Sequence, residues 1–108
     1  MKLRPIKDKK KINTIFEKGL VINGQNISIR TYSFEGEEPG YVISVPKRNF
    51  PLAVKRNLLK RRMRSALAGV PISKGGVSFF LIYLSKQVVS SSEIVNELTR
   101  LLNKKAPN

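Results

Sequence analysis

Residues 41–69 read YVISVPKRNFPLAVKRNLLKRRMRSALAG, and the change of pattern inside this stretch decides the fold. Tyr41 to Val45 has the character of a short strand, and Pro46, which cannot donate to a ladder, ends it or keeps it at an edge. From Pro51 onward the apolar period lengthens to that of a helix. Proline suits a first helical turn because its missing N–H would have no partner there, which puts the cap at Asn49 or Phe50. The helix is expected to reach about Ala68, where Gly69-Val70-Pro71 stops it. On a helical wheel Leu52, Leu59, Met63, Ala66 and Leu67 gather on one side, the side to bury against a sheet. Asn57, Lys60, Arg61 and Arg64 stand at i, i+3, i+4 and i+7 on another side.

The flanking sequence supplies that sheet. Upstream, Asp8 caps a short helix that closes before Gly19, with Ile12, Ile15 and Phe16 on one face. So short a helix is marginal alone and must dock. Leu20 to Ile22 is a brief extended piece, and Asn23-Gly24 predicts a turn because both residues tolerate positive φ. A strand follows from about Gln25 to Phe34, with Ile27, Ile29 and Thr31 on one side and Ser28, Arg30, Tyr32 and Phe34 on the other. The acidic turn 35–40 returns the chain to Tyr41. Downstream of the long helix, a loop through Ser73 to Gly76 leads to Val77–Leu84, apolar on both faces and therefore a central strand. Ser90 and Glu93 have capping-box spacing and open a last helix, whose buried stripe is Ile94, Val95, Leu98, Leu101 and Leu102. At 108 residues the chain fits one domain, an α+β sandwich of order α-β-β-β-α-β-α with helices against a small sheet.

Charge sets the chemistry. Twenty-one Lys and Arg stand against seven Asp and Glu, a formal net charge of +14. Self-repulsion of this size opposes the compact state, so a polyanionic partner is expected. Within 45–67 lie Lys47, Arg48, Lys55, Arg56, Lys60, Arg61, Arg62 and Arg64, without one acidic residue. A merely solvated helix mixes signs, since i to i+4 ion pairs stabilise it by about 0.2–0.5 kcal/mol each. This helix forgoes them, which points to phosphate, whose oxygens match the guanidinium fork. The apolar run 77–84 is far short of the ~20 residues that cross a bilayer. No apolar signal core follows Met1, so a cytoplasmic location is expected. With no cysteine and no histidine, thiolate chemistry, histidine triads and the commonest metal ligand are excluded. Glu93 and Glu97 share a helix face, and helix N-terminal capping accounts for them better than metal binding.

From Phe16 to Ala66 the sequence resembles the protein subunit of bacterial ribonuclease P. The resemblance rests on Phe16-Glu17-Lys18-Gly19 at the end of the first helix, on Ile43-Ser44-Val45-Pro46-Lys47-Arg48, and above all on the helix Ala53 to Arg64. There Arg56, Asn57, Lys60, Arg61 and Arg64 match the family's signature, while Leu58 stands where the family has a second Arg. The resemblance implies a left-handed crossover in the β-α-β unit, against the general preference for right-handed ones. It also implies a ribonucleoprotein that removes the 5′ leader of precursor tRNA, with ribonuclease P RNA as catalyst and Mg²⁺ held mainly by that RNA. Two surfaces carry over. The signature helix, at Lys55, Arg56, Asn57, Lys60, Arg61 and Arg64 with Lys47 and Arg48 beside it, would bind the catalytic RNA. The cleft between the first helix and the sheet would hold the single-stranded leader, with Phe16 matching a family aromatic, Ile12 one turn earlier, Arg30 at the strand position and Tyr32 two residues on. Arg30 is expected to stack on a base or hold a phosphate. The rival from composition alone is a ribosomal or other structural RNA-binding protein. A DNA reader is disfavoured because a strand, not a positioning helix, precedes the basic helix. An interfacial membrane helix is disfavoured because the apolar side of the basic helix is needed for the core.

Overall fold

The computed structural model describes residues 4–36, 38–69 and 77–105. Its elements are β1 (Arg4–Pro5), α1 (Lys9–Lys18), β2 (Leu20–Asn23), β3 (Ile27–Ser33), β4 (Gly40–Ser44), α2 (Ala53–Gly69), β5 (Val77–Tyr83) and α3 (Ser91–Lys105). The expected order α-β-β-β-α-β-α is present, preceded by one strand that the sequence reading lacks. Two residues carry no periodicity, and β1 exists only because Arg4 and Pro5 find a parallel partner in Gly40 and Tyr41. The predicted stop at Val70-Pro71 and the loop through Ser73 to Gly76 lie outside the described residues.

The five strands form one mixed sheet in the order β1-β4-β5-β3-β2. β5 is central, as its apolar run predicts: it is antiparallel to β3 and parallel to β4. The parallel neighbours β4 and β5 are joined through α2, the unit to which the family resemblance assigns the left-handed crossover. Register assigns the faces. Ile29, Leu81 and Ile43 stand in one row, and Arg30, Phe80 and Val42 in the adjacent row on the opposite face. The first face carries the main core, where Ile29 and Leu81 meet Leu59 and Met63 of α2 and Ile94 and Leu98 of α3, all fully buried. Each such burial contributes about 1.5–3 kcal/mol. The second face is covered by α1, whose Ile15 is fully buried.

Capping follows the sequence at two helices. Asp8 accepts from Lys10 N at 2.9 Å, and Ser90 Oγ accepts from Glu93 N at 3.3 Å while bonding back to Glu93 Oε1. At α2 the expectation needs correcting. Lys55 N and Arg56 N both reach Leu52 O, so Leu52 is the cap and Pro51 precedes the helix. Leu52 is accordingly 62% exposed and lies off the buried face. Asn49 N and Phe50 N instead close a turn on Pro46 O, and Phe50 buries its ring 5.6 Å from Tyr83. Tyr83 in turn donates to Gln87 O and accepts from Val89 N, and burial pushes its hydroxyl pKa above the usual 10.0. On α3 Val95 is exposed, so the stripe is narrower than expected.

The β2–β3 turn is also built differently from its sequence signal. Among the described residues only Gly36, in the β3–β4 turn, has positive φ, so neither Asn23 nor Gly24 uses the left-handed region. The tight residues are Gln25 and Asn26, bracketed by Gly24 N donating to Ile27 O at 2.8 Å. Gly24 is required for space: a Cβ there would come within 2.4 Å of Glu97 Oε2 and 2.8 Å of Leu101 Cδ1. Glu97 is therefore no helix cap. It is 4% exposed, and its carboxylate accepts from Asn26 N at 2.8 Å, Ile27 N at 2.9 Å and Asn26 Nδ2 at 3.0 Å. Removing it orphans two backbone donors, each costing about 1–3 kcal/mol. Glu97→Ala should thus lower unfolding free energy by about 3 kcal/mol in urea titration, and Glu97→Gln, which keeps one acceptor, should cost visibly less.

Candidate nucleic-acid interface

α2 is buried along Leu59, Met63, Ala66 and Leu67, which leaves its basic residues to the solvent side. They divide into two groups. Arg56 and Arg62 are half-buried and serve the fold. Arg56 Nη1 donates to Phe50 O at 2.8 Å and Pro51 O at 2.9 Å, tying the β4–α2 loop to the first turn. Arg62 Nη1 donates to Val89 O at 2.7 Å, tying α2 to the segment before α3. Both use guanidinium donors on carbonyls that the loop geometry leaves without a ladder.

The second group is Asn57, Lys60, Arg61 and Arg64, which i, i+3, i+4, i+7 spacing aligns on one ridge. None of the four has a hydrogen-bond or ionic partner among the described residues. Lys55 is exposed beside them, and Lys47 and Arg48 are exposed in the turn that leads into the helix. Leu58 is half-buried. No acidic residue occupies the first turn of α2. Cations there oppose the helix dipole by about 0.3–1 kcal/mol each at low salt, so the ridge is sustained against both dipole and mutual repulsion. An incoming anion relieves both, and the planar fork of arginine suits phosphate.

The cleft residues also come together, in the space between α1 and the second face of the sheet. Phe16 is 45% exposed and its ring centroid is 5.9 Å from that of Phe80. Arg30 lies with its guanidinium carbon 4.1 Å from the Phe16 centroid and donates through Nη1 to Phe16 O. Its Nε is buried without a partner. In this state Arg30 already stacks on a ring and caps the last turn of α1, where the helix dipole favours a cation. Ile12 is half-buried one turn before Phe16, and Tyr32 is half-buried on the strand face that Arg30 shares. Phe80 is the member that sequence reasoning misses. It sits in a run read as core, and only the pairing of β3 with β5 puts it beside Arg30.

Among the described residues no three His, Cys, Asp or Glu side chains cluster as a metal centre, and no helix is long and apolar enough to cross a membrane.

Known proteins agree on where such an arrangement occurs. The family described as Ribonuclease P matches residues 1–106. Among solved structures, the Staphylococcus aureus RNase P protein superposes with a TM-score of 0.81 at 23% identity, covering 95% of each chain. A mutant of the S. aureus protein with defective mRNA degradation activity gives 0.80 at 21%, covering 93% of this chain and 86% of its own. The RNase P protein from Thermotoga maritima gives 0.78 at 18%, covering 96% and 99%. At these identities the likeness carries the fold. No curated protein sequence matches the chain.

The two groups of basic residues separate experimentally. Arg56→Ala and Arg62→Ala should each lower unfolding free energy by about 1 kcal/mol or more. Arg61→Ala and Arg64→Ala should leave it within about 0.5 kcal/mol, or raise it slightly by relieving repulsion. Chemical denaturation of the four variants checks this.

Proposed function

The chain belongs to the Ribonuclease P family, and we propose that it serves as the protein component of that ribonucleoprotein, gripping the catalytic RNA with α2 and the 5′ leader of precursor tRNA with the cleft. The observation that carries the reading is the unpartnered ridge of Asn57, Lys60, Arg61 and Arg64, extended by Lys47, Arg48 and Lys55. Such a ridge binds phosphate by releasing condensed counterions, so affinity is steep in salt. Arg56 joins it through whichever guanidinium donors Phe50 and Pro51 leave free.

In the cleft, Phe16, Ile12 and Tyr32 offer apolar surface to a base, and Arg30 offers positive charge to the backbone beside it. By holding a flexible leader against one side of the complex, these groups restrict it to orientations near the scissile bond, a gain in positioning. Cleavage itself is assigned to the RNA, with Mg²⁺ held mainly there. The described protein residues do not fit a resident metal, and the sequence contains no histidine or cysteine to act as base or nucleophile. The partners are therefore ribonuclease P RNA and precursor tRNA, with neither membrane nor DNA, and the site of action is the cytoplasm.

Two measurements test this. With a cognate catalytic RNA present, the protein should favour precursor tRNA over mature tRNA; indifference to the leader would instead favour a structural RNA-binding protein. Arg61→Ala with Arg64→Ala should reduce the slope of log affinity against log salt by about one to two units, and an unchanged slope would remove phosphate from the ridge.

A further inference from the structure

The sheet face under α1 continues past Tyr32. α1 runs antiparallel to β3, because Phe16 near its end meets Arg30 while Lys11 near its start meets Phe34, with the Lys11 ammonium 5.6 Å from the Phe34 centroid. From Arg30 to Phe34 the strand direction advances about 13 Å at ~3.3 Å per residue. At the far end a pocket of about 230 Å³ opens between β1, the start of α1 and the β3–β4 turn. Arg4, Lys7, Lys11, Phe34 and Glu38 line it. Its floor depends on a close approach of β1 to β4, since a Cβ on Gly40 would come within 2.7 Å of Arg4 O.

The chemistry of this lining is specific. Three cations face Glu38 and Asp8, and Asp8 already accepts from Lys10 N, so the pocket favours an anion. Phe34 adds a flat apolar surface, with Tyr32 edge-on at 4.9 Å behind it. The volume falls below the roughly 300–1,000 Å³ of sites for drug-sized ligands. A small ligand that is both anionic and flat is one nucleotide, its phosphate on Arg4, Lys7 and Lys11 and its base on Phe34, with Glu38 as an acceptor for a base amino group. Position supplies the order of contact. β4 enters the sheet at Gly40, beside the pocket, and leaves it at Ser44, toward Lys47 and Arg48. A strand leaving the α2 side therefore passes the Phe16–Arg30 cleft first and this pocket afterwards.

We propose that the pocket is a second single-strand subsite, which takes one nucleotide of the leader 5′ to those in the cleft. The proposal rests on the leader-binding reading above. Its test uses the protein with a cognate catalytic RNA and precursor tRNAs whose leaders lengthen one nucleotide at a time. Wild-type affinity should rise in two steps. Phe34→Leu, which keeps apolar contact with Tyr32, and Lys7→Ala, at an exposed position, should each abolish about tenfold of affinity at the later step while leaving short-leader affinity within twofold. A late step that survives both substitutions, or a single plateau reached with short leaders, overturns the pocket alone. Affinity independent of the leader at every length overturns the leader-binding reading and this subsite with it.

Discussion

A strand that must be dry on both faces governs this structure. Ser78, Phe79, Phe80, Leu81 and Tyr83 of β5 are all buried, so helices have to cover the sheet above and below. α2 and α3 take one face and α1 takes the other. That division sends the long basic helix to one side of the molecule and leaves α1, with its single fully buried side chain, to roof a shallow cleft on the opposite side. The two candidate RNA surfaces are separate because one strand separates the layers.

The excess of positive charge is tolerated within this frame because few cations are spent on it. Arg56 and Arg62 bind backbone carbonyls and Arg30 caps α1, uses that any strong donor could serve. The remaining ridge on α2 contributes repulsion and no packing. A sequence that keeps such residues against the helix dipole has its compensation in a complex, where phosphate oxygens replace the missing carboxylates. Glu97 is the counter-example on the acidic side. It is one of only seven carboxylates in the chain, and it is buried to hold a turn instead of balancing the surface.

Ribonuclease P family membership and the geometry agree on the division of labour. The protein presents phosphate-binding and base-stacking groups, and histidine and cysteine are absent from its sequence altogether. Arg30 is where this chain departs from an all-aromatic cleft, and its guanidinium lies on Phe16 in place of a second ring.

Patterns of local period were legible directly. The change near residue 51, the apolar run of β5, the Asp8 and Ser90 caps and the basic ridge follow from nearest-neighbour geometry along the chain, so the element order and the phosphate-binding face could be read from residue spacing. Contacts between residues distant in sequence could not be read in that way. β1 needs β4 as a template, Gly24 needs Glu97 and Leu101 as neighbours, and Phe80 meets Arg30 only through the strand register. Nor does a helical wheel reveal that Arg56 and Arg62 reach back to loop carbonyls while Arg61 and Arg64 do not. Period and charge therefore belong to the sequence by itself. Which donors are consumed by the fold, and which are left for a partner, was decided only when packing brought carbonyls and carboxylates within reach.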